Sequence, residues 1–422
     1  MHRASAAVVG VWRAALRRAL TWIGPSGLRV RFEGFGGVIA IERPPLLAFV
    51  DRAFLRALGY ADPPVWSSGR TALTAPTEVH LTLTQECPVG CAGCYVDARL
   101  RDPGELDTGQ VCSILDDLAA NGVFHVAMGG GESYLRNDLF EIAAHARSVG
   151  IVPNVTTSGI RMSEELARRS RIFGQVNVSV DGIDGYDDAA GRPPGSWRTA
   201  SRALALLRAA RVRTGVNCVV TRQNVDRLHE IARAVRALGA REVEFLRWKP
   251  TGRGRDAYGE RVLTSEQARA VYPRILALAR SARIRPRIDC SFLPMACHHT
   301  PDPDRMRKLG MLGCEAGHHL ASIDATGRLH GCSFLDGGER LEGGLAAAWD
   351  ISPAIVPYRT YRDRAQEPCR SCSYLDICGG GCRAVSAFVN GDPMTPDPEC
   401  PRVEDFRAGR TAVSADGGAL RG

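Results

Sequence analysis

Residues 77–98 read TEVHLTLTQECPVGCAGCYVDA, and the fold follows from this stretch. Val79, Leu81 and Leu83 alternate along its first half, the period of two expected of a strand. Cys87, Cys91 and Cys94 come directly after it, spaced C-x3-C-x2-C. Three thiolates at that spacing can hold a four-iron, four-sulfur cube and leave one iron without a protein ligand. Such an iron is open to chelation by a small molecule. A structural zinc site is the rival, but zinc wants four nitrogen or sulfur ligands. His125 and His145, which could complete such a set, lie far along the chain.

Further along, the same strand pattern recurs at 124–131 (FHVAMGGG), 151–159 (IVPNVTTSG), 175–182 (QVNVSVDG), 213–221 (RTGVNCVVT) and 241–250 (REVEFLRWKP). Amphipathic runs such as TGQVCSILDDLAANG and NVDRLHEIARAVRALGA separate them, with Gly122, Gly150 and Gly239 where helices should end. Thr264 and Gln267 form a capping box that opens another helix after the sixth strand. Six strand–helix units imply a parallel sheet covered by helices, too few for a closed eight-fold barrel. In such sheets sites form at the carboxyl ends of the strands.

The 422 residues allow one large domain with smaller ones, and 45% hydrophobic content allows real cores. The formal charge is +8, carried almost wholly by Arg, since Lys249 and Lys308 are the only lysines. No basic block stands out, so no nucleic-acid surface is expected. No run approaches the ~20 apolar residues of a transmembrane span. Residues 1–24 carry Arg13, Arg17 and Arg18 and read as a basic amphipathic helix rather than a signal peptide. Fourteen cysteines without a secretion signal point to metal or redox chemistry in a reducing, cytoplasmic setting.

The C-x3-C-x2-C loop resembles that of the radical S-adenosylmethionine (SAM) enzymes, and the resemblance spans about residues 77–405. It implies an α/β fold, a partial (β/α)6 TIM-like barrel. It implies that SAM chelates the open iron of a [4Fe-4S] cluster held by Cys87, Cys91 and Cys94. An electron then cleaves SAM to a 5′-deoxyadenosyl radical. Gly130, Gly131 and Glu132 match the family's GGE segment, which bonds the SAM amino group. Ser158 lies in a TNG-like turn near the adenosine. Ser179 and Asp181 match an S-x-D-G segment facing SAM, and Arg192 resembles a basic residue near its carboxylate, although GR replaces the usual RG. Asn217 and Arg253 are further polar candidates. Many relatives carry an aromatic residue or His before the third cysteine. Here that position is Gly93, with Tyr95 after Cys94, so the ring is supplied differently.

Cys314 and Cys332, then Cys369, Cys372, Cys378, Cys382 and Cys400, form a second array (C-x12-G-x4-C, then C-x2-C-x5-C-x3-C and a last cysteine). Seven thiols do not divide into closed zinc quartets. The array resembles the SPASM auxiliary-cluster domain. By that resemblance Cys369, Cys372, Cys378 and Cys400 hold an outer [4Fe-4S] cluster, and Cys314, Cys332 and Cys382 hold an inner one. Cys297 is the first candidate for the inner cluster's fourth ligand; Cys290, His318 or an open iron are the alternatives. Cys112 and Cys218 read as buried small hydrophobes.

The expected organisation is an N-terminal helix and small β/α element (1–76), a barrel (77–290), a SPASM domain (291–405) and a tail (406–422). Residues 29–60 read as two short strands and a helix, a leader-peptide binder or a cap on the barrel. The expected function is radical oxidation of a peptide or protein side chain, with a flavodoxin or ferredoxin-type electron donor. Modification of a tetrapyrrole-like small molecule and a non-catalytic iron–sulfur or zinc scaffold are the alternatives.

Overall fold

A computed structural model describes residues 28–42, 45–183, 186 and 191–410. The amphipathic helix expected within residues 1–24, and the tail beyond residue 410, lie outside the described residues. Two compact units divide the chain, Met1–Thr74 and Ala75–Gly422.

The first unit is an antiparallel sheet of β1 (Leu28–Glu33), β2 (Gly36–Ile41) and β3 (Leu46–Asp51), followed by α1 (Arg52–Ala57). Ile39, Ile41, Phe54, Leu55 and Trp66 form its core. The sequence pattern suggested two strands. The third arises because Asp51 caps α1, accepting the Phe54 N–H at 2.7 Å, so the apolar run before it stays extended. Leu47 and Phe49 on that strand face water, which hid its alternation.

In the second unit all six anticipated strands form: β4 (Glu78–Thr84), β5 (His125–Gly130), β6 (Val152–Thr157), β7 (Val176–Ser179), β8 (Thr214–Val220) and β9 (Glu242–Arg247). Each pairs in parallel with the next. The sheet extends at both ends. A seventh parallel strand, β10 (Arg285–Ile288), joins β9. On the other side β11 (Leu320–Ile323) lies parallel to β4, and β12 (Arg328–His330) and β13 (Glu339–Arg340) add antiparallel. Pro286 fits β10 because that strand is an edge.

The outer helices are α2 (Thr108–Ala120), α3 (Leu139–Ser148), α4 (Glu164–Arg169), α5 (Ser196–Ala209), α6 (Leu228–Ala237) and α7 (Ser265–Ser281). The Thr264–Gln267 capping box forms, and Asp107 with Gln110 makes another at α2. Val79, Leu81, Leu83, Val126, Met128, Val178 and Phe245 on the strands share one core with Leu115, Ile142, Leu204 and Ile231 on the helices. Cys218 belongs to this core, whereas Cys112 is only half-buried. The other face of the strands is polar. Glu78 and His80 on β4, Glu244 on β9, Arg287 on β10 and the half-buried Glu315 interact electrostatically with one another. Burial pushes the Glu315 carboxyl up to about 7.

Candidate functional site

The loop carrying Cys87, Cys91 and Cys94 leaves the carboxyl end of β4 and is held from several sides. Glu105 accepts the Gln85 N–H at 2.5 Å and the Thr84 hydroxyl at 3.0 Å. Arg99 and Gln85 pair through their backbones, and Cys87 N–H donates to Arg99 O at 3.0 Å. Arg253, after β9, donates from Nε to Cys91 O at 3.0 Å and pairs with Asp97 at 2.5 Å. Its own N–H bonds Cys94 O. Arg253 was a candidate for an anionic ligand; its donors instead clamp the cysteine loop. Gly252 permits this approach, since a Cβ there would lie 2.6 Å from Tyr95 O and nearer still to Cys94 O.

The three thiols lie together. Burial pushes Cys87 and Cys91 up, with Arg192 acting against this at Cys91. Ala98 N–H donates to Cys94 Sγ at 3.3 Å. Arg192 reaches within 3.8 Å of Cys91 Sγ and is anchored by Asp181 at 2.5 Å. The second Asp181 oxygen accepts the Val219 N–H at 2.7 Å, tying the end of β7 to β8. Asp181 is thus a brace for Arg192, and the GR order still brings a cation to the cysteine loop.

Glu132 is buried after β5 and its carboxylate is fully engaged. It accepts from Thr157 Oγ1 (2.7 Å), Ser158 N (2.9 Å) and Ser158 Oγ (2.5 Å), locking the end of β6 to that of β5. Gly131 and Glu132 donate their N–H groups back to Thr84 O and Glu86 O. A Cβ on Gly130 would lie 2.6 Å from Thr84 O, and one on Gly131 2.8 Å from the Glu86 carbonyl carbon. The glycines therefore let β5 press directly on the root of the cysteine loop.

Sequence reasoning did not single out Trp248. This buried residue follows β9, and its indole N–H donates to Gly254 O at 3.1 Å. A Cβ on Gly93 would lie 2.6 Å from its Cζ3, and one on Gly191 3.6 Å. The indole occupies the space beside Gly93 where an aromatic side chain on the loop would begin. The signal was present as a small residue where relatives have a ring. The partner comes from beyond β9, far along the chain, so it could not be read from the loop.

Tyr95, half-buried with its hydroxyl beside Gly130 and pushed up to about 12 by burial, packs at a tilt against Phe334 with ring centroids 4.8 Å apart. Phe334 packs with Cys314, Cys332 and Cys382 in one group. Lys249 sits 4.3 Å over the Phe334 ring and pairs with Asp289. Burial works against its charge, but Asp289 prevails and raises its pKa.

The remaining array thiols gather on the other side. Cys369 and Cys400 share one apolar group and Cys372 and Cys378 another, while Cys378 is electrostatically coupled to both Cys369 and Cys400. Cys314 N–H donates to Cys378 O at 3.3 Å, placing the two sets side by side. Arg383, buried and 4.0 Å over the Tyr361 ring, donates to the carbonyls of Gly380, Pro393 and Thr395. Cys297 does not join the inner three. It lies on α8 (Leu293–His298), its thiol in hydrogen-bonding contact with Cys378. α8 turns its buried face to Ile377 and Tyr374, which carries the thiol to the outer set. His318 is occupied by Arg362, 3.0 Å from its Nε2. Among the described residues no three His, Cys, Asp or Glu side chains converge as they would around a single metal ion.

The donor sets suit cofactors of the expected kind. Soft thiols cluster where strands end, and buried oxygens of Gln85, Ser133, Asn217 and Thr251 have no hydrogen-bond partner at that same end of the sheet. Ser179, ending β7, is half-buried there.

The radical SAM superfamily model matches residues 81–235. The mycofactocin maturase MftC of Mycolicibacterium smegmatis is 33% identical over 338 residues, covering 78% of this chain and 83% of that protein. The PqqA peptide cyclase of Methylocella silvestris is 30% identical over 342 residues, covering 77% and 87%. The crystal structure of Streptococcus suis SuiB bound to S-adenosylmethionine has a TM-score of 0.71 at 17% identity, covering 89% and 98%. The fold is therefore shared with SuiB, and the sequence matches establish descent: the chain belongs to the radical SAM superfamily and is an enzyme of that family.

Proposed function

We propose that this enzyme oxidises a side chain of a peptide or protein substrate, with Cys87, Cys91 and Cys94 as the thiolates of its catalytic cluster. The family's cofactors are a [4Fe-4S] cluster and SAM. Together, when bound, they supply a 5′-deoxyadenosyl radical able to take hydrogen from an unactivated carbon. The chain's own residues prepare the place. Arg192, aligned by Asp181, offers a fixed cation beside Cys91 for the SAM carboxylate. Glu132, whose carboxylate accepts from Thr157 and Ser158, fixes the turn at Ser158 and holds the Gly130–Glu132 segment in place for the SAM amino group. Ser179 and Asn217 line the same end. Trp248 packs against the loop at Gly93, and Tyr95 continues it toward Phe334.

One observation carries the oxidative reading. Tyr95, next to Cys94, packs at a tilt against Phe334, two residues from Cys332. The inner auxiliary thiols thus stand one aromatic pair from the catalytic loop, suited to receive the electron left on a substrate. On this reading Cys314, Cys332 and Cys382 hold one auxiliary cluster, and Cys369, Cys372, Cys378 and Cys400 another. The functional division is a barrel (77–290) and an auxiliary region (291–405), with a small N-terminal element (1–76) and a C-terminal tail (406–422). A flavodoxin or ferredoxin supplies the first electron in the cytoplasm. Among the described residues no helix is long and apolar enough to cross a membrane. Similarity to a PqqA peptide cyclase, and to the fold of SuiB, which has been crystallised with its precursor peptide SuiA, favours a peptide over a tetrapyrrole-like substrate.

The test is anaerobic incubation with SAM, dithionite and each small peptide encoded beside the gene. A mass loss of two hydrogens in one peptide, or a larger oxidative fragment loss, supports the reading. SAM cleavage that leaves every such peptide unaltered while a porphyrin precursor is converted overturns it.

A further inference from the structure

We propose that Cys290 is the fourth thiol of the inner auxiliary set, so that this site takes a four-iron cluster with every iron held by the protein. The inference rests on reading the second cysteine array as iron–sulfur ligands and adds a residue to it.

Cys290 lies just past β10, on the short turn Cys290–Phe292. Two cations at the end of β9 grip the residues on either side of it. Lys249 pairs with Asp289, whose own N–H donates to Phe245 O at 3.0 Å. Arg247 donates from Nη1 to Ser291 O at 3.0 Å, and Ser291 Oγ donates to Asp289 at 2.6 Å. Arg247 also holds Asp397 at 2.7 and 2.9 Å, and Asp397 accepts the Cys382 N–H at 2.8 Å. Cys290 and Cys382 are thus positioned through one guanidinium. Cys290 is also an electrostatic neighbour of Cys314, and Lys249 acts on the thiols of Cys290, Cys332 and Cys382 alike.

The other thiols are committed elsewhere. Cys297 faces Cys378, Cys218 is in the barrel core, and Cys112 lies on α2. His318 is held by Arg362. Four thiols around one site satisfy a cube without an open iron. The inner cluster then passes electrons and does not ligate substrate.

The experiment uses the full chain with Cys87, Cys91 and Cys94 changed to Ala, reconstituted without oxygen, which should carry about eight irons from two cubes. Adding Cys290→Ala, followed by mild oxidation with ferricyanide, should release one iron and produce a three-iron electron paramagnetic resonance signal of about one spin per chain. Adding Cys297→Ala should produce none. A Cys290→Ala spectrum identical to the parent's, or the signal appearing with Cys297→Ala instead, overturns the assignment. If Cys290→Ala loses its far-ultraviolet circular dichroism, Cys290→Ser keeps an oxygen donor. An unshifted spectrum of the reduced inner cluster in that variant also overturns it. A parent without iron sinks the reading of the array itself, which separates that failure from this one.

Discussion

Replacing Gly93 by Ala puts a methyl group 2.6 Å from Trp248 Cζ3. Carbon atoms rest about 3.5–4.0 Å apart, so the shortfall is about 1 Å or more. The indole cannot simply swing away. It is buried, bonded to Gly254 O at 3.1 Å, and flanked by Gly191. Overpacking of this kind costs about 1–3 kcal/mol, or about 5-fold to 150-fold in the folded ratio. Trp248→Ala alone should cost about 3–5 kcal/mol through the cavity it leaves. The pair should cost less than the sum, because the methyl group introduced by Gly93→Ala grows into the vacated space, with a coupling of about 1–3 kcal/mol. The assay is anaerobic urea unfolding of the reconstituted protein and its three variants, with iron counted in each. A Gly93→Ala variant within about 0.5 kcal/mol of wild type, and additive with Trp248→Ala, would refute the claim that the indole fills this place.

Other expectations follow from single contacts. Asp397→Asn leaves the buried Arg247 with Glu399 as its only carboxylate, at 2.9 Å; it should cost about 3–5 kcal/mol and loosen Cys382, seen as a lower urea midpoint and loss of auxiliary iron. Gly252 has φ +52°, and Gly252→Ala adds about 1–2 kcal/mol of backbone strain to the clash at Cys94 O; iron should fall in the Cys87 loop while the auxiliary sites stay loaded, as read by Mössbauer spectroscopy. Burial, and then the adjacent Arg362, hold the His318 imidazole down to about 4. Its neutral form is the one the fold favours, so its stabilising contribution is complete above about pH 6.5 and lost toward pH 4, at up to about 1.4 kcal/mol per unit. His318→Gln should remove that component from a comparison of urea midpoints at about pH 7.5 and about pH 5.5.

What the sequence disclosed was what is local. The alternation of Val79, Leu81 and Leu83 and the Thr264–Gln267 capping box report contacts between near neighbours, and the C-x3-C-x2-C and C-x2-C-x5-C-x3-C runs are short enough to be read the same way. β10 was missed because RPRI is short, carries a proline, and turns Arg287 toward Glu242 and Glu244, so no apolar alternation marks it. Trp248 was missed because its partner is a glycine across the barrel. Glu132 and Asp181 sit where the family motif put them, but their carboxylates are consumed by Ser158 and Arg192, contacts made between strand ends. Cys297 is close to Cys314 in sequence, but sequence closeness does not tell which face of α8 is buried, and that face brings its thiol to Cys378.

The most direct test is anaerobic reconstitution followed by an iron count and an assay for 5′-deoxyadenosine from SAM and dithionite. Three cubes predict about 12 irons per chain, and 5′-deoxyadenosine should disappear when Cys87, Cys91 and Cys94 become Ala. A protein that binds no iron, or that cleaves SAM equally well without those three thiols, would contradict the assignment of the catalytic loop.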